Sequence, residues 1–195
     1  MATGPEVPGV PEAPRPPARL DGRAVAWVVA LLAGSVVLGL LGGLIWGEFA
    51  PRAVLQEVSA GTAEVVNAET RAFFGADVWF CCIAAVAGLL TGVLGYRFAV
   101  APRSGLTRAA NATALITGAV AGGLVMMWLG ERFGLSGYNH QLGTSATGTV
   151  FSGSLALGAK SALAIWPLLT SVVLVIAEWG TRPATDRPAE RQPVA

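Results

Sequence analysis

Apolar residues run almost without interruption over 24–46, 78–98, 109–129 and 161–178, and polar residues collect between these runs. Wound as helices at about 1.5 Å per residue, the runs suit a bilayer hydrocarbon core of roughly 30 Å, and none carries a charge in its middle. A backbone in lipid has no water to satisfy its N–H and C=O groups, so the pattern predicts α-helices rather than open strands. The expected fold class is an all-α membrane protein with four transmembrane helices, the helical domain covering 23–180. Two longer connections, 47–77 and 130–160, join helix 1 to 2 and helix 3 to 4 on one side. A short basic connection joins helix 2 to 3 on the other.

The polar segments have patterns of their own. Residues 1–22 and 181–195 are rich in Pro without an apolar period and are expected to be disordered tails. Within 47–77, the short β-compatible runs 53–58 and 62–67 flank Ser59-Ala60-Gly61, which predicts a small hairpin-like loop. Asp77 stands just before the second run, where a carboxylate can accept the orphan N–H groups of a helix start, so it is expected to be the N-cap. Pro167 lies near one end of the fourth run, where its missing N–H is expected to kink or wedge the helix.

Small residues recur at four-residue spacing: Gly39, Gly43 and Gly47 in the first run, Ala84, Gly88 and Gly92 in the second, and Gly118 and Gly122 in the third. Such spacing lets helix backbones approach closely, which matters where lipid supplies no hydrophobic drive for association. These glycines are expected to be the helix-packing positions.

Composition agrees with the hydropathy pattern: the 195 residues are 53% hydrophobic and 13% charged, well to the apolar side of a soluble domain. Charge distribution adds direction. Arg15, Arg19 and Arg23 precede the first run, Arg97, Arg103 and Arg108 lie between the second and third, and Arg182, Arg187 and Arg191 follow the fourth. By the positive-inside rule both termini are expected to be cytoplasmic, with 47–77 and 130–160 outside. Trp27, Trp46, Trp79, Tyr96, Trp128 and Trp179 fall near run ends, as interfacial aromatics do, and Trp166 falls inside a run. A cleaved secretory signal has an apolar core of roughly 7–15 residues before a small-residue site. The first run is longer and ends in Trp46-Gly47-Glu48, so it is expected to remain as a span.

Glu69, Phe73, Ala76, Asp77 and Phe80 form E-x3-F-x2-AD-x2-F ahead of and into the second run. This pattern resembles small actinobacterial four-span integral membrane proteins of uncharacterised function, as do the hairpin-like loop before it and the basic middle connection. The resemblance covers roughly the first two spans and implies no catalytic residue; 134–159 departs from it.

Candidate chemistry is sparse. Gly153 and Gly158, followed by Ala159, Lys160 and Ser161, fall one residue short of a phosphate-binding loop, and no parallel-sheet unit frames them. His140 has no second His or Cys nearby in sequence to make a zinc site. Cys81 and Cys82 are adjacent on a helix, about 100° apart, and cannot easily bridge each other. Asn111-Ala112-Thr113 matches a glycosylation sequon on the expected cytoplasmic side, which makes it a chance match. Glu48, Asp77, Glu131 and Glu178 lie at rims rather than at mid-membrane, where transport paths keep ionisable groups. Ser35, Thr91, Thr113, Thr117, Thr170 and Ser171 are the polar content of the spans, and such hydroxyls can bond their own helix. The expectation is a non-enzymatic integral protein of the bacterial plasma membrane, an interaction or accessory component of the cell envelope. The alternative is a membrane subunit of a transporter energised by a separate chain. The expected partners are the lipid bilayer and an envelope or transporter protein, with no nucleic acid, cofactor or metal.

Overall fold

The computed structural model describes residues 22–59, 62–65, 71–103, 105–144, 150–153 and 155–181. Helix α1 (Gly22–Phe49) leads into strands β1 (Val54–Ser59) and β2 (Thr62–Val65). Helix α2 (Arg71–Gly95) closes in a π-turn (Tyr96–Val100) and is followed by α3 (Gly105–Thr144), β3 (Val150–Ser152), a 3-10 turn (Lys160–Ala164) and α4 (Ile165–Thr181). Among the described residues, four segments are long and apolar enough to cross a membrane: Gly22–Phe49, Phe74–Val100, Gly105–Phe133 and Lys160–Thr181. Their outer faces are large and apolar, with Val29 at 58% and Ile176 at 64% exposure, which in water would be a severe cost and in lipid is the solvated state. The chain is thus compatible with a multi-pass membrane protein. The expected tails and the tip of the loop lie outside the described residues.

Small residues set which helices pair. α1 packs along α3 and α2 along α4, whereas α1 and α2 touch much less. A methyl group at Gly43 would lie 2.8 Å from the Met126 carbonyl oxygen, and one at Gly39 would collide with the Gly122 backbone. On the second pair, a methyl at Gly88 would lie 2.8 Å from the Trp166 carbonyl oxygen and one at Gly92 would lie 2.7 Å from Val173 Cβ. Gly118 sits on Ser35, Gly122 on both Ser35 and the Trp166 ring, and Gly47 makes ordinary contact with Phe133 and Gly130.

Four local features depart from the sequence pattern. α2 begins at Arg71, so Asp77 lies inside the helix and is not its N-cap. Hydropathy marks where lipid begins, and helical hydrogen bonding had already begun six residues earlier. α3 is a 40-residue helix that continues through His140 to Thr144, so much of the expected 130–160 connection is helical. At helical rise it reaches roughly 60 Å, about twice the hydrocarbon core. Pro167 falls in the first turn of α4, where a missing N–H breaks little of the helical ladder, and it marks the change from 3-10 to α geometry rather than a mid-helix kink.

The fourth feature is a third strand. β1 and β2 are antiparallel with Leu55 opposite Val65 and Gln56 opposite Glu64, and the register shifts between Glu57 and Ser59. β3, from the other long connection, pairs antiparallel with β1, Leu55 opposite Phe151, giving the order β2-β1-β3. The Gly153 N–H extends the pairing to the Ala53 carbonyl at 2.7 Å. A two-stranded hairpin alone is marginal, and the third strand binds both connections into one sheet.

Packing is uneven along the bundle. The main core cluster gathers at the sheet end and in the middle, around Trp46, Phe80, Met126 and Trp166. At the opposite end the buried cluster is Val100, Leu115 and Leu174.

Candidate functional site

The sheet end is tied to the helices by side chains whose polar groups face backbone. Trp46 is fully buried; its indole N–H donates to the Ala76 carbonyl at 2.8 Å, and its ring meets Phe80 edge-on at 5.2 Å. Gly130 lies against the same indole, where any side chain would collide. Asp77 turns away from its own helix. Its carboxylate accepts the Gly158 and Ala159 N–H groups, each at 3.0 Å, just before the 3-10 turn that starts the fourth span. Glu131 accepts the Leu157 N–H at 3.2 Å. Two rim carboxylates on two helices therefore hold one strip of backbone, 157–159, over the bundle.

This explains three of the five residues of the E-x3-F-x2-AD-x2-F pattern in physical terms. Ala76 supplies a carbonyl and room for Trp46, Asp77 holds the segment before α4, and Phe80 fills the core. Glu69 lies outside the described residues. The near phosphate-binding loop has a different use, since the Gly158 amide faces Asp77. His140 lies in α3 and the two cysteines are free thiols, Cys82 facing outward. No group of three metal-ligating side chains occurs among the described residues.

In mid-bundle a hydroxyl cluster joins α2 to α4. Thr91 Oγ1 bonds the Ala87 carbonyl at 2.7 Å, accepts the Trp166 indole N–H at 3.0 Å and lies 3.0 Å from Thr170 Oγ1, which also reaches the Gly88 carbonyl. Ser35 and Ser171 bond back to Leu31 and Pro167 of their own helices. The sequence pattern located these hydroxyls; their convergence across helices depends on the close approach at Gly88 and was not legible.

The opposite end holds charges and openings. Arg108 and Glu178 form an ion pair at 2.6 Å between α3 and α4. Tyr96 Oη donates to the Ala177 carbonyl at 3.2 Å. Asn111 is fully buried and its amide donates to the Ala99 carbonyl at 2.8 Å, at the π-turn where carbonyls run out of helical donors. A side chain so placed cannot carry a glycan. Arg103, whose backbone N–H donates to the Val100 carbonyl at 3.1 Å, lies over the Trp27 ring at 5.3 Å, and Gly105 begins α3 with a φ of +53°. Arg23, Arg103 and Thr107 border a recess of about 460 Å³ beside Trp27. From Trp27 a second, apolar recess of about 400 Å³ runs between α1 and α2 to Leu38 and Leu90.

Comparison with known protein families, curated proteins and solved structures finds no match to this chain. The class supported by the fold is a multi-pass helical membrane protein with a small sheet at one end.

Proposed function

We propose that this chain is a non-enzymatic accessory or interaction component of a bacterial cell envelope, with its sheet facing outward as the contact surface. The observation that carries this reading is the sheet itself. It is assembled from both long connections, and the backbone strip 157–159 between it and the fourth span is held by Asp77 and Glu131, so that these rim carboxylates are engaged in architecture. β2 and β3 are the sheet edges, and an edge strand can pair with an extended segment of another protein. The outward orientation is supported by charge. Arg23, Arg97, Arg103 and Arg108 lie at the end of the bundle opposite the sheet, and positive-inside bias puts that end and both termini in the cytoplasm. An actinobacterial source rests on the sequence resemblance.

Crosslinking the tagged chain in native membranes, followed by mass spectrometry of what it captures, tests this reading. Capture of one envelope protein, lost on deletion of 53–67 while membrane insertion and helix content are kept, is the expected result. Capture of an ATPase would instead support a transporter subunit. Capture unaffected by the deletion would remove the sheet as the contact surface.

A further inference from the structure

The geometry points to a binding site for one anionic glycerophospholipid between α1 and α2, with the phosphate at Arg23 and Arg103 and an acyl chain in the apolar recess behind Trp27. The weak α1–α2 seam leaves the recess open, because the close small-residue contacts join α1 to α3 and α2 to α4. Leu31, Leu94 and Phe98 line its walls, and Trp27 borders both it and the basic recess, so head and chain sites adjoin at that ring. From Trp27 to Leu38 the recess follows α1 for roughly 16 Å at helical rise. That is about half of a 30 Å hydrocarbon core, and a further apolar recess of about 420 Å³, sharing Leu38 and Leu90, carries the α1–α2 seam on to Ile45 and Trp79.

Charge distinguishes this site from the other lateral opening at the same end. There, a recess of about 510 Å³ between α3 and α4 ends at Glu178, already paired with Arg108. In the basic recess, where the start of α1 meets the turn into α3, the described lining holds two arginines and no carboxylate. Arginine presents a planar fork of donors suited to phosphate, and a basic pocket between membrane helices is a setting in which anionic headgroups bind. Arg103 is already oriented by the Trp27 ring, which reduces what binding must order. The inference requires only that the chain lies in a membrane and is independent of the proposed contact surface.

The test titrates the purified full-length protein in non-ionic detergent with phosphatidylglycerol, phosphatidylcholine and inorganic phosphate, counting bound species by native mass spectrometry. One phosphatidylglycerol is expected to bind in preference to phosphatidylcholine. Arg23→Gln with Arg103→Gln should weaken it by roughly thirty-fold, as expected for two interfacial charges. Arg132→Gln, at the sheet end, should leave it unchanged. Gly34 lines the apolar recess with open space where a side chain would begin, so Gly34→Phe should fill the recess and displace both lipids. Equal binding of the two lipids, unaltered binding by the double variant, or competition by inorganic phosphate with no effect of Gly34→Phe would each overturn the proposal. So would crosslinking of Gly34→Cys to another polypeptide in native membranes, which would show a partner helix in the recess.

Discussion

Thr91 connects two elements through one oxygen: it bonds its own helix at Ala87 and accepts the indole N–H of the fully buried Trp166 across the interface. Thr170 adds a second hydroxyl within 3.0 Å but reaches the Gly88 carbonyl as well. The two threonines are therefore unequal. Thr91→Val preserves shape and orphans the Trp166 N–H in an apolar interior, whereas Thr170→Val leaves that N–H satisfied. We expect Thr91→Val to destabilise the protein in detergent by about 1–2 kcal/mol and Thr170→Val by less than half of that, with Thr91→Ser close to wild type. Thermal unfolding followed by Trp fluorescence measures all three, and equal losses for the two valine variants would show that the indole bond contributes nothing. Asp77 teaches a related point about reading single residues. Its place at a polar-to-apolar boundary suggested a cap for its own helix, yet its acceptors serve the start of the fourth span 81 residues away. The preference of a carboxylate for free N–H groups was legible; which helix would present them depended on packing.

At the scale of elements, the four spans were legible because a bilayer imposes length and polarity on each one separately. The remaining elements were not, for reasons that differ. β3 is three residues long, and its pairing partner Leu55 is distant in sequence, so no local periodicity could announce it. The end of α3 contains Gly134, Ser136, Gly137 and Asn139, weak helix formers whose propensities are overridden when a helix is already propagating. Glycines, by contrast, were legible as a class but not one by one. Gly122 is pressed between the Ser35 carbonyl and the Trp166 ring, each within 2.7 Å of where a methyl would sit, whereas Gly34 has open space around it. Gly122→Ala should force two helices apart and cost about 1–3 kcal/mol, while Gly34→Ala should be neutral or slightly stabilising through its better helix propensity. Paired unfolding curves check this contrast, and equal effects would mean that the α1–α3 contact is looser than the geometry requires.

On the scale of the whole molecule, the two ends of the bundle differ in kind. One end carries the sheet, the large core side chains and the carboxylates that fasten 157–159; the other has a smaller buried cluster, the π-turn, an arginine-rich rim and the basic recess beside Trp27. A membrane with a positive-inside bias distinguishes these ends during insertion, before any of the packing exists. The polarity of the rim should thus fix the face on which the sheet emerges, and this is testable without knowledge of any partner. Ala156 is exposed beside the sheet and Ala101 is exposed in the turn between α2 and α3. With Cys81 and Cys82 replaced by Ala, Ala156→Cys should react with a membrane-impermeant maleimide on intact cells stripped of their wall, and Ala101→Cys only after permeabilisation. Reversal of the two patterns would place the sheet in the cytoplasm and make a cytoplasmic protein the partner to seek. Labelling of both sites from outside would contradict opposite faces for the two ends and reduce the number of true crossings below four.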